Sequence, residues 1–187
     1  KYKIQNTKNL LDRWIISELQ TLIREVDENM ENYELTRAAR FFPKFIDNLS
    51  NWYIRRSRRR FWKSESDSDK KEAYETLHYV LVTLSKLMAP FTPFIAEEIY
   101  RNLTPSSPLS GETPAISPQT GETALSVHLV DFPEADKKLI DEKLNEEMAK
   151  VRDIITQGLQ LRASAKIKVR QPLQVASIKY KVSSEDL

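Results

Sequence analysis

The chain has 187 residues, of which 40% are hydrophobic and 30% are charged, with three glycines and no cysteine. This length and apolar content suffice for one core-forming domain with a smaller appendage, and the scarcity of glycine favours helices over sheets. The missing cysteines exclude disulfides and thiolate metal sites. The most apolar stretch, residues 80–99, contains three charged residues and two prolines, which excludes a membrane span. We therefore expect a mainly α fold.

Apolar residues at helical spacing predict a first helix over residues 7–31. A second stripe over residues 35–53, which includes Ile46 and Trp52, predicts a second helix, whose basic continuation extends past the apolar part. Pro43 lies inside this stripe, where a proline removes an amide donor and costs about 3 kcal/mol in an undistorted helix. We therefore expect a kink or a break near Pro43.

The next stretch, residues 64–69, is acidic and rich in serine, and it predicts a linker that supplies N-cap residues. A third helix is expected to follow and to end near Ala89, because Pro90 cannot continue it. Thr92 and Pro93 then predict the start of a fourth helix, with proline at its first position. This helix is expected to end near Leu103.

Residues 104–126 contain four prolines and a repeated Gly-Glu-Thr, a composition typical of a flexible surface loop. A fifth, long helix is predicted within residues 127–165. Alternating apolar and basic residues at 167–170 and an apolar run at 175–178 then predict one or two strands. The predicted organisation is a helical bundle over 1–103, the loop 104–126, a connecting segment with the fifth helix over 127–165, and a strand-containing tail over 166–187.

The most distinctive segment is residues 55–63, which carries six of the 29 basic residues and no acid, leaving 23 basic against 27 acidic residues elsewhere. Guanidinium groups match phosphate oxygens, and aromatic faces can stack on unpaired bases. We predict that this segment binds single-stranded or looped nucleic acid. The phosphate candidates are Arg55, Arg56, Arg58, Arg59, Arg60 and Lys63. Helical spacing places 56, 59, 60 and 63 on a shared side, which favours Arg56, Arg59 and Arg60.

Two alternatives stay open for this segment. The arginines could form a solvated helix end that pairs with carboxylates of the same chain, although five arginines within six residues exceed what solubility requires. Trp62, beyond the apolar stripe, either caps the bundle or stands exposed as a stacking surface.

The sequence contains little that predicts catalysis. His78 and His128 have no second ligand at metal-binding spacing and are read as packing or surface residues. The acidic pairs at 97–98, 141–142 and 146–147 are read as solvated helix faces, and the glycines are too far apart for a phosphate-binding loop. We therefore predict no catalytic residue and no metal site in this chain.

Several segments, in this order along almost the whole chain, resemble isoleucyl-tRNA synthetases: residues 11–15 (LDRWI), 33–40 (YELTRAAR), 49–58 (LSNWYIRRSR), 87–100 (LMAPFTPFIAEEIY), 126–129 (SVHL) and 167–173 (IKVRQPL). The segment at 87–100 is shared with valyl and leucyl enzymes and marks the anticodon-binding bundle of class Ia synthetases. The segments at 49–58 and 167–173 are the more specific ones.

This resemblance implies a helical domain that binds the anticodon stem and loop of isoleucine tRNA, RNA being the polyanion that the arginines meet. By analogy with methionyl enzymes, it makes Trp62 the base-contacting candidate. The family's two ATP-binding motifs are absent, so the chain is expected to be an inactive part of a longer cytoplasmic, ATP-dependent ligase. The resemblance also implies that ATP, magnesium and any zinc belong to that parent enzyme. The catalytic domain of the parent enzyme would be a partner of this chain, and no membrane would be involved. A nonspecific RNA-binding helical module and a protein-interaction scaffold remain the rival functions.

Overall fold

The computed structural model describes residues 7–63, 67–104 and 126–173, and the folded elements in these ranges are helices. The chain divides into two compact units, Lys1–Asn145 and Glu146–Leu187. No strand forms within the described ranges, and none of their helices has the length and apolarity needed to cross a membrane. The helices are α1 (Leu10–Glu31), α2 (Leu35–Ala39), α3 (Phe41–Asp47), a π-helical segment (Asn48–Ile54), α4 (Arg55–Lys63), α5 (Asp67–Met88), α6 (Pro93–Leu103) and α7 (Glu142–Ser164), with short 3₁₀ helices at Val127–Leu129 and Lys137–Leu139.

Helix α1 is the central element of the first unit and packs against α2, α3, the π-helical segment and α5. It begins at the N-cap Asn9, whose side chain accepts a hydrogen bond of 2.9 Å from the amide of Leu11. Its inward face is the predicted apolar stripe, and Trp14, Ile15 and Leu19 have no exposed surface. The first predicted helix is therefore confirmed, with its start three residues later than expected.

The predicted interruption of the second helix is also confirmed. Helix α2 ends at Ala39, Arg40 forms a turn, and α3 starts at Phe41. Pro43 is thus the third residue of a helix rather than an interior one, and a missing amide hydrogen has little cost in the first turn. The break before Pro43 therefore places the proline in a first helical turn, where the helix tolerates it.

The π-helical segment Asn48–Ile54 changes which side chains face inward. Each of its turns is closed by a hydrogen bond one residue longer than in an α-helix. Asn48 and Tyr53, five residues apart, are consequently both buried, whereas Trp52 is half-buried. Ile46, in α3 just before this segment, is exposed. The sequence interpretation, which placed Ile46 and Trp52 on a uniform α-helical stripe, was wrong at these two positions.

Helices α5 and α6 form the most extensive helix pair of the first unit. Helix α5 ends at Met88, just before Pro90, and α6 begins at Pro93, as the prolines predicted. At their junction Ala89, Ala96 and Tyr100 form a buried cluster together with Val127, which follows the predicted loop. The loop itself, residues 105–125, lies outside the described residues.

The segment after this loop is fixed by polar contacts to helices. The carboxylate of Glu97 accepts hydrogen bonds from Ser126 Oγ at 2.9 Å and from the Val127 amide at 2.8 Å. Further along, the amide of Asp136 donates to Gln20 Oε1 at 2.8 Å, and the amide of Asp141 donates to Ser17 Oγ at 2.8 Å. These bonds hold residues 126–141 against α6 and α1.

In the second unit, α7 ends at Ser164 and is followed by turns. The guanidinium of Arg162 donates to the backbone carbonyls of Lys168, Val169 and Gln171, which folds this stretch back toward the helix end. No strand forms at 167–170: the expected strand is replaced by irregular backbone and a turn, and the carbonyls of Lys168 and Val169 bond to a side chain. The second expected strand, at 175–178, lies outside the described residues.

Candidate nucleic-acid interface

Helix α4 is anchored to the bundle by Arg60. Its guanidinium donates two parallel hydrogen bonds to Asp12 of α1, from Nη1 to Oδ1 at 2.7 Å and from Nη2 to Oδ2 at 2.9 Å. It also donates from Nε to Asp69 Oδ1 of α5, at 2.9 Å. The side chain of Arg60 is 12% exposed and that of Asp12 is fully buried. This forked geometry is the strongest arrangement available to an arginine and a carboxylate, and it ties three helices together.

Tyr53 completes the buried network. Its hydroxyl donates to Asp12 Oδ1 at 2.8 Å. Burial, followed by the neighbouring Asp12 carboxylate, raises the pKa of Tyr53 well above its usual value, so the hydroxyl stays protonated. For Arg60, burial alone would lower the pKa, but hydrogen bonds to Asp12 and Asp69 outweigh it and raise the pKa. The buried carboxylate of Asp12 is thus hydrogen-bonded by a neutral donor, the Tyr53 hydroxyl, and by a cationic donor, the Arg60 guanidinium.

The remaining inward residues of α4 are Ser57 and Phe61, both buried. The Phe61 ring meets Tyr74 of α5 edge-on, with 5.2 Å between ring centroids. Ser57, Arg60 and Phe61 therefore define the side of α4 that faces the bundle. The expectation that Arg60 shares an outward side with Arg56 and Arg59 is corrected by this geometry, because the guanidinium of Arg60 is occupied by two carboxylates.

The other four arginines of the segment point away from the core. Arg55, Arg56, Arg58 and Arg59 are exposed, and none of them forms an ion pair with a carboxylate in the part of the chain that the structure describes. Among the residues that the structure describes, Arg60 is therefore the one arginine of these five that pairs with the chain's own carboxylates. Lys63 ends α4, and its side chain is outside the described part.

Trp62 stands at the end of this basic face with 69% of its surface exposed. The guanidinium carbon of Arg58 lies 5.2 Å from the centroid of its ring, and that of Arg56 lies 4.6 Å from the ring of Trp52. Of the two alternatives for Trp62, the exposed position is the one observed. The outward face of α4 thus combines concentrated positive charge with an accessible aromatic surface, which suits a flexible polyanion with unpaired bases.

Sequence reasoning missed Asp12 as the residue that orients this face. The pattern did contain an indication: Asp12 lies between Leu11 and Trp14, within the apolar stripe of α1, and a carboxylate in such a stripe needs a buried cationic partner. Sequence alone does not reveal which of many arginines provides that partner. Asp12 therefore belongs to the candidate site as a residue that positions α4.

The interpretation of Glu97 as a solvated residue was also wrong. Glu97 was expected on a solvated helix face, but its side chain is 22% exposed and its carboxylate binds Ser126, the Val127 amide and Arg101. Loss of hydration raises the pKa of Glu97, but the hydrogen bonds from Val127 and Ser126 and the charge of Arg101 together outweigh it, so the pKa lies below its usual value. Glu97 is a structural clamp and not part of the basic face.

The two histidines lie outside the basic face of α4. His78 Nε2 lies 2.9 Å from the carbonyl oxygen of Leu103, a packing role between α5 and the end of α6, whereas His128 is exposed. Within the ranges 7–63, 67–104 and 126–173, no group of three or more histidine, aspartate or glutamate residues could hold a metal ion.

Comparison with known proteins gives the family. Residues 12–177 match the family model described as the anticodon-binding domain of tRNA ligase. The isoleucine–tRNA ligase of Dehalococcoides mccartyi is 52% identical over 163 residues, covering 87% of this chain and 15% of the relative. That of Clostridium novyi is 44% identical over 92% of this chain and 16% of its own length. That of Protochlamydia amoebophila is 43% identical over 94% of this chain and 15% of its own length.

This chain thus spans about 15% of the length of the curated relatives it matches. The matched region runs from Asp12, the buried anchor of α4, through the basic face and into the second unit. The chain belongs to the family of anticodon-binding domains of tRNA ligases.

Proposed function

We propose that this chain is the part of an isoleucine–tRNA ligase that binds the anticodon arm of isoleucine tRNA. The observation that carries the proposal is the outward face of α4, where exposed arginines stand next to the exposed ring of Trp62. Isoleucine specificity is supported by the names of the relatives, which are isoleucine–tRNA ligases at 43–53% identity. The activation of the amino acid, with ATP and magnesium, then belongs to other parts of a parent protein working in the cytoplasm.

In this proposal the arginines contact phosphates and thereby position the anticodon arm, whereas Trp62 contacts a base. Phosphate contacts fix register and orientation without reading sequence, and unstacked loop bases are read by stacking and by their edges. A face that offers both kinds of contact on one helix end is matched to a short RNA loop better than to a uniform duplex. Arg60 is left out of the phosphate set, because Asp12 and Asp69 occupy it.

The test is a binding titration with isoleucine tRNA and with the same tRNA carrying a methionine anticodon, each at two salt concentrations. We expect tighter, salt-dependent binding to the isoleucine anticodon. Arg59→Gln should weaken binding to both RNAs and lower the salt slope by about 1. Trp62→Ala should reduce the preference between them, since stacking on one base contributes about 1–3 kcal/mol.

Arg37→Gln is the distant control for charge removal; unlike Arg59, Arg37 pairs with a carboxylate, that of Glu34 at 3.1 Å. Arg37 is exposed in α2, which follows the C-terminal end of α1, whereas Arg60 binds Asp12 near the N-terminal end. The 22 residues of α1 separate these ends by about 33 Å. Equal effects of Arg37→Gln and Arg59→Gln would argue for a diffuse, nonspecific attraction. Salt-dependent binding that ignores the anticodon would favour the rival nonspecific RNA-binding module, and absence of RNA binding would favour the scaffold.

A further inference from the structure

The four outward arginines of α4 are not equivalent. Arg58 lies over the ring of Trp62 and Arg56 over the ring of Trp52, at 5.2 and 4.6 Å from the respective centroids. Arg55 and Arg59 have no aromatic partner of this kind among the described residues. Two guanidinium groups thus lie over indole rings before any RNA binds, and two are held by neither a described ring nor a described carboxylate.

The ring of Trp62 is held from two directions. Arg58, one helical turn earlier, covers a face of the indole, and Phe61 meets it edge-on, with 6.4 Å between centroids and 84° between planes. Phe61 is itself buried and fixed against Tyr74. Despite these contacts Trp62 keeps 69% of its surface exposed. The indole is therefore oriented by its neighbours while a stacking surface remains available.

The two unstacked arginines lie on the same side of the helix as this indole. Positions 55, 59 and 62 follow the spacing i, i+4, i+7, which places their side chains along one stripe. Successive positions in this stripe are separated by about 6 and 4.5 Å along the helix axis. A nucleic-acid strand that follows the stripe meets two cations and then an aromatic surface.

We propose a division of roles on this face: Arg58 is a positioning residue that holds Trp62 as a preformed platform for one unpaired RNA base, and Arg55 and Arg59 bind the adjoining phosphates. The base stacks on the face of the indole opposite Arg58, so the indole lies between a guanidinium and a base. This inference rests on the proposed function for the identity of the ligand. The orientation of Trp62 by Arg58, however, is a property of the free protein.

The reason for assigning Arg58 to Trp62 rather than to phosphate is geometric. A guanidinium in contact with the indole face is attracted by the ring quadrupole and restricts the rotamers of both side chains. A side chain already ordered in its binding geometry loses less freedom when the ligand arrives. Moving Arg58 onto a phosphate would remove this support from the same residue that is to receive the base.

The first experiment measures the free protein. In the full chain, the emission of Trp62 is obtained as the difference between each protein and its Trp62→Phe counterpart, and acrylamide quenching and anisotropy are recorded. We expect Arg58→Gln to increase quenching and lower the anisotropy of Trp62. Arg59→Gln, which removes the same charge one residue away, should change neither. Identical Trp62 quenching and anisotropy in the two variants would overturn the positioning role.

The second experiment measures tRNA binding in a double-mutant cycle with Trp62→Ala. We expect Arg58→Gln to weaken binding to the isoleucine anticodon by about two- to five-fold and to reduce anticodon preference. In the Trp62→Ala background this additional loss of preference should vanish, whereas the effect of Arg59→Gln should persist in full. Arg58→Lys should retain the salt slope but not the full preference, because an ammonium group lacks the planar stacking surface.

The two proposals fail in different ways. If Arg58→Gln and Arg59→Gln have the same effect in both backgrounds while the anticodon preference remains intact, the division of roles is wrong and the proposed function stands. If neither Arg59→Gln nor Trp62→Ala alters binding to any tRNA, the proposed function is wrong, and the base platform is wrong with it.

Discussion

The buried pair between Asp12 and Arg60 leads to a quantitative prediction, tested by Asp12→Ala. Asp12 has no exposed surface and accepts two hydrogen bonds from Arg60, one from Tyr53 and one from Thr7 Oγ1, at 3.2 Å. Removing one partner of a buried ion pair costs about 3–5 kcal/mol. Arg60 keeps Asp69 and is 12% exposed, so we expect a loss near the lower limit, about 3 kcal/mol.

The assay is urea denaturation of the full chain, followed by circular dichroism. A loss of about 3 kcal/mol leaves a domain of ordinary stability, about 5–15 kcal/mol, still folded. Arg60→Met serves as the second arm, and the double variant should be less destabilised than the sum of the single ones by about 2 kcal/mol, because no charge is then left buried. Additive effects, or a loss below about 1 kcal/mol for Asp12→Ala, would refute this reasoning.

Asp69→Ala is the control for this cycle. Asp69 contacts the same guanidinium at 2.7 Å, but its side chain is 39% exposed. Exposed ion pairs contribute about 0–1 kcal/mol, so this substitution should cost far less than Asp12→Ala. Equal losses for the two aspartates would show that burial is not what makes the Asp12 contact strong.

Two further predictions concern stability. Because the folded-state pKa of Glu97 lies below its usual value of 4.5, its stabilising effect is present above that pH and is lost as the pH falls below it. Glu97→Gln should cost about 1–2 kcal/mol at pH 7, and its difference from the unchanged protein in urea denaturation should shrink in acid; a difference equal at pH 3 and pH 7 would contradict this. Ser57 Oγ is buried without a hydrogen-bond partner among the described residues, so Ser57→Ala should be neutral or raise the unfolding free energy by up to about 1 kcal/mol, and a clear loss of stability would show an overlooked partner.

Much of the helical architecture could be predicted from the sequence, because local physical chemistry determines it. Apolar spacing defined α1, and prolines at 90 and 93 defined the end of α5 and the start of α6. The break ahead of Pro43 followed from the same backbone restriction. These features depend on residues close in sequence, so no knowledge of the three-dimensional contacts was needed.

The facing of individual side chains around the π-helical segment could not be predicted in the same way. The assumption of a uniform period failed at Trp52, because a π-turn moves the inward side by a residue. Ile46, near the end of the preceding α3, is exposed as well. The role of Arg60 depends on Asp12, which is 48 residues away in sequence. Five neighbouring arginines look alike in the sequence, and only the position of a carboxylate on another helix distinguishes the one that packs inward.

The hydrogen bonds that hold residues 136–141 on α1 also bear on how the protein folds. They join Asp136 to Gln20 across 116 residues and Asp141 to Ser17 across 124, whereas Arg60 and Asp69 are only nine residues apart. Contacts across such long separations are expected to form late, because closing a longer loop costs more chain entropy. We therefore expect the bundle around α1 to assemble before this segment docks. Weakening the contact at Ser17 should then accelerate unfolding while leaving the folding rate nearly unchanged, so the last segment to dock sets the lifetime of the native state.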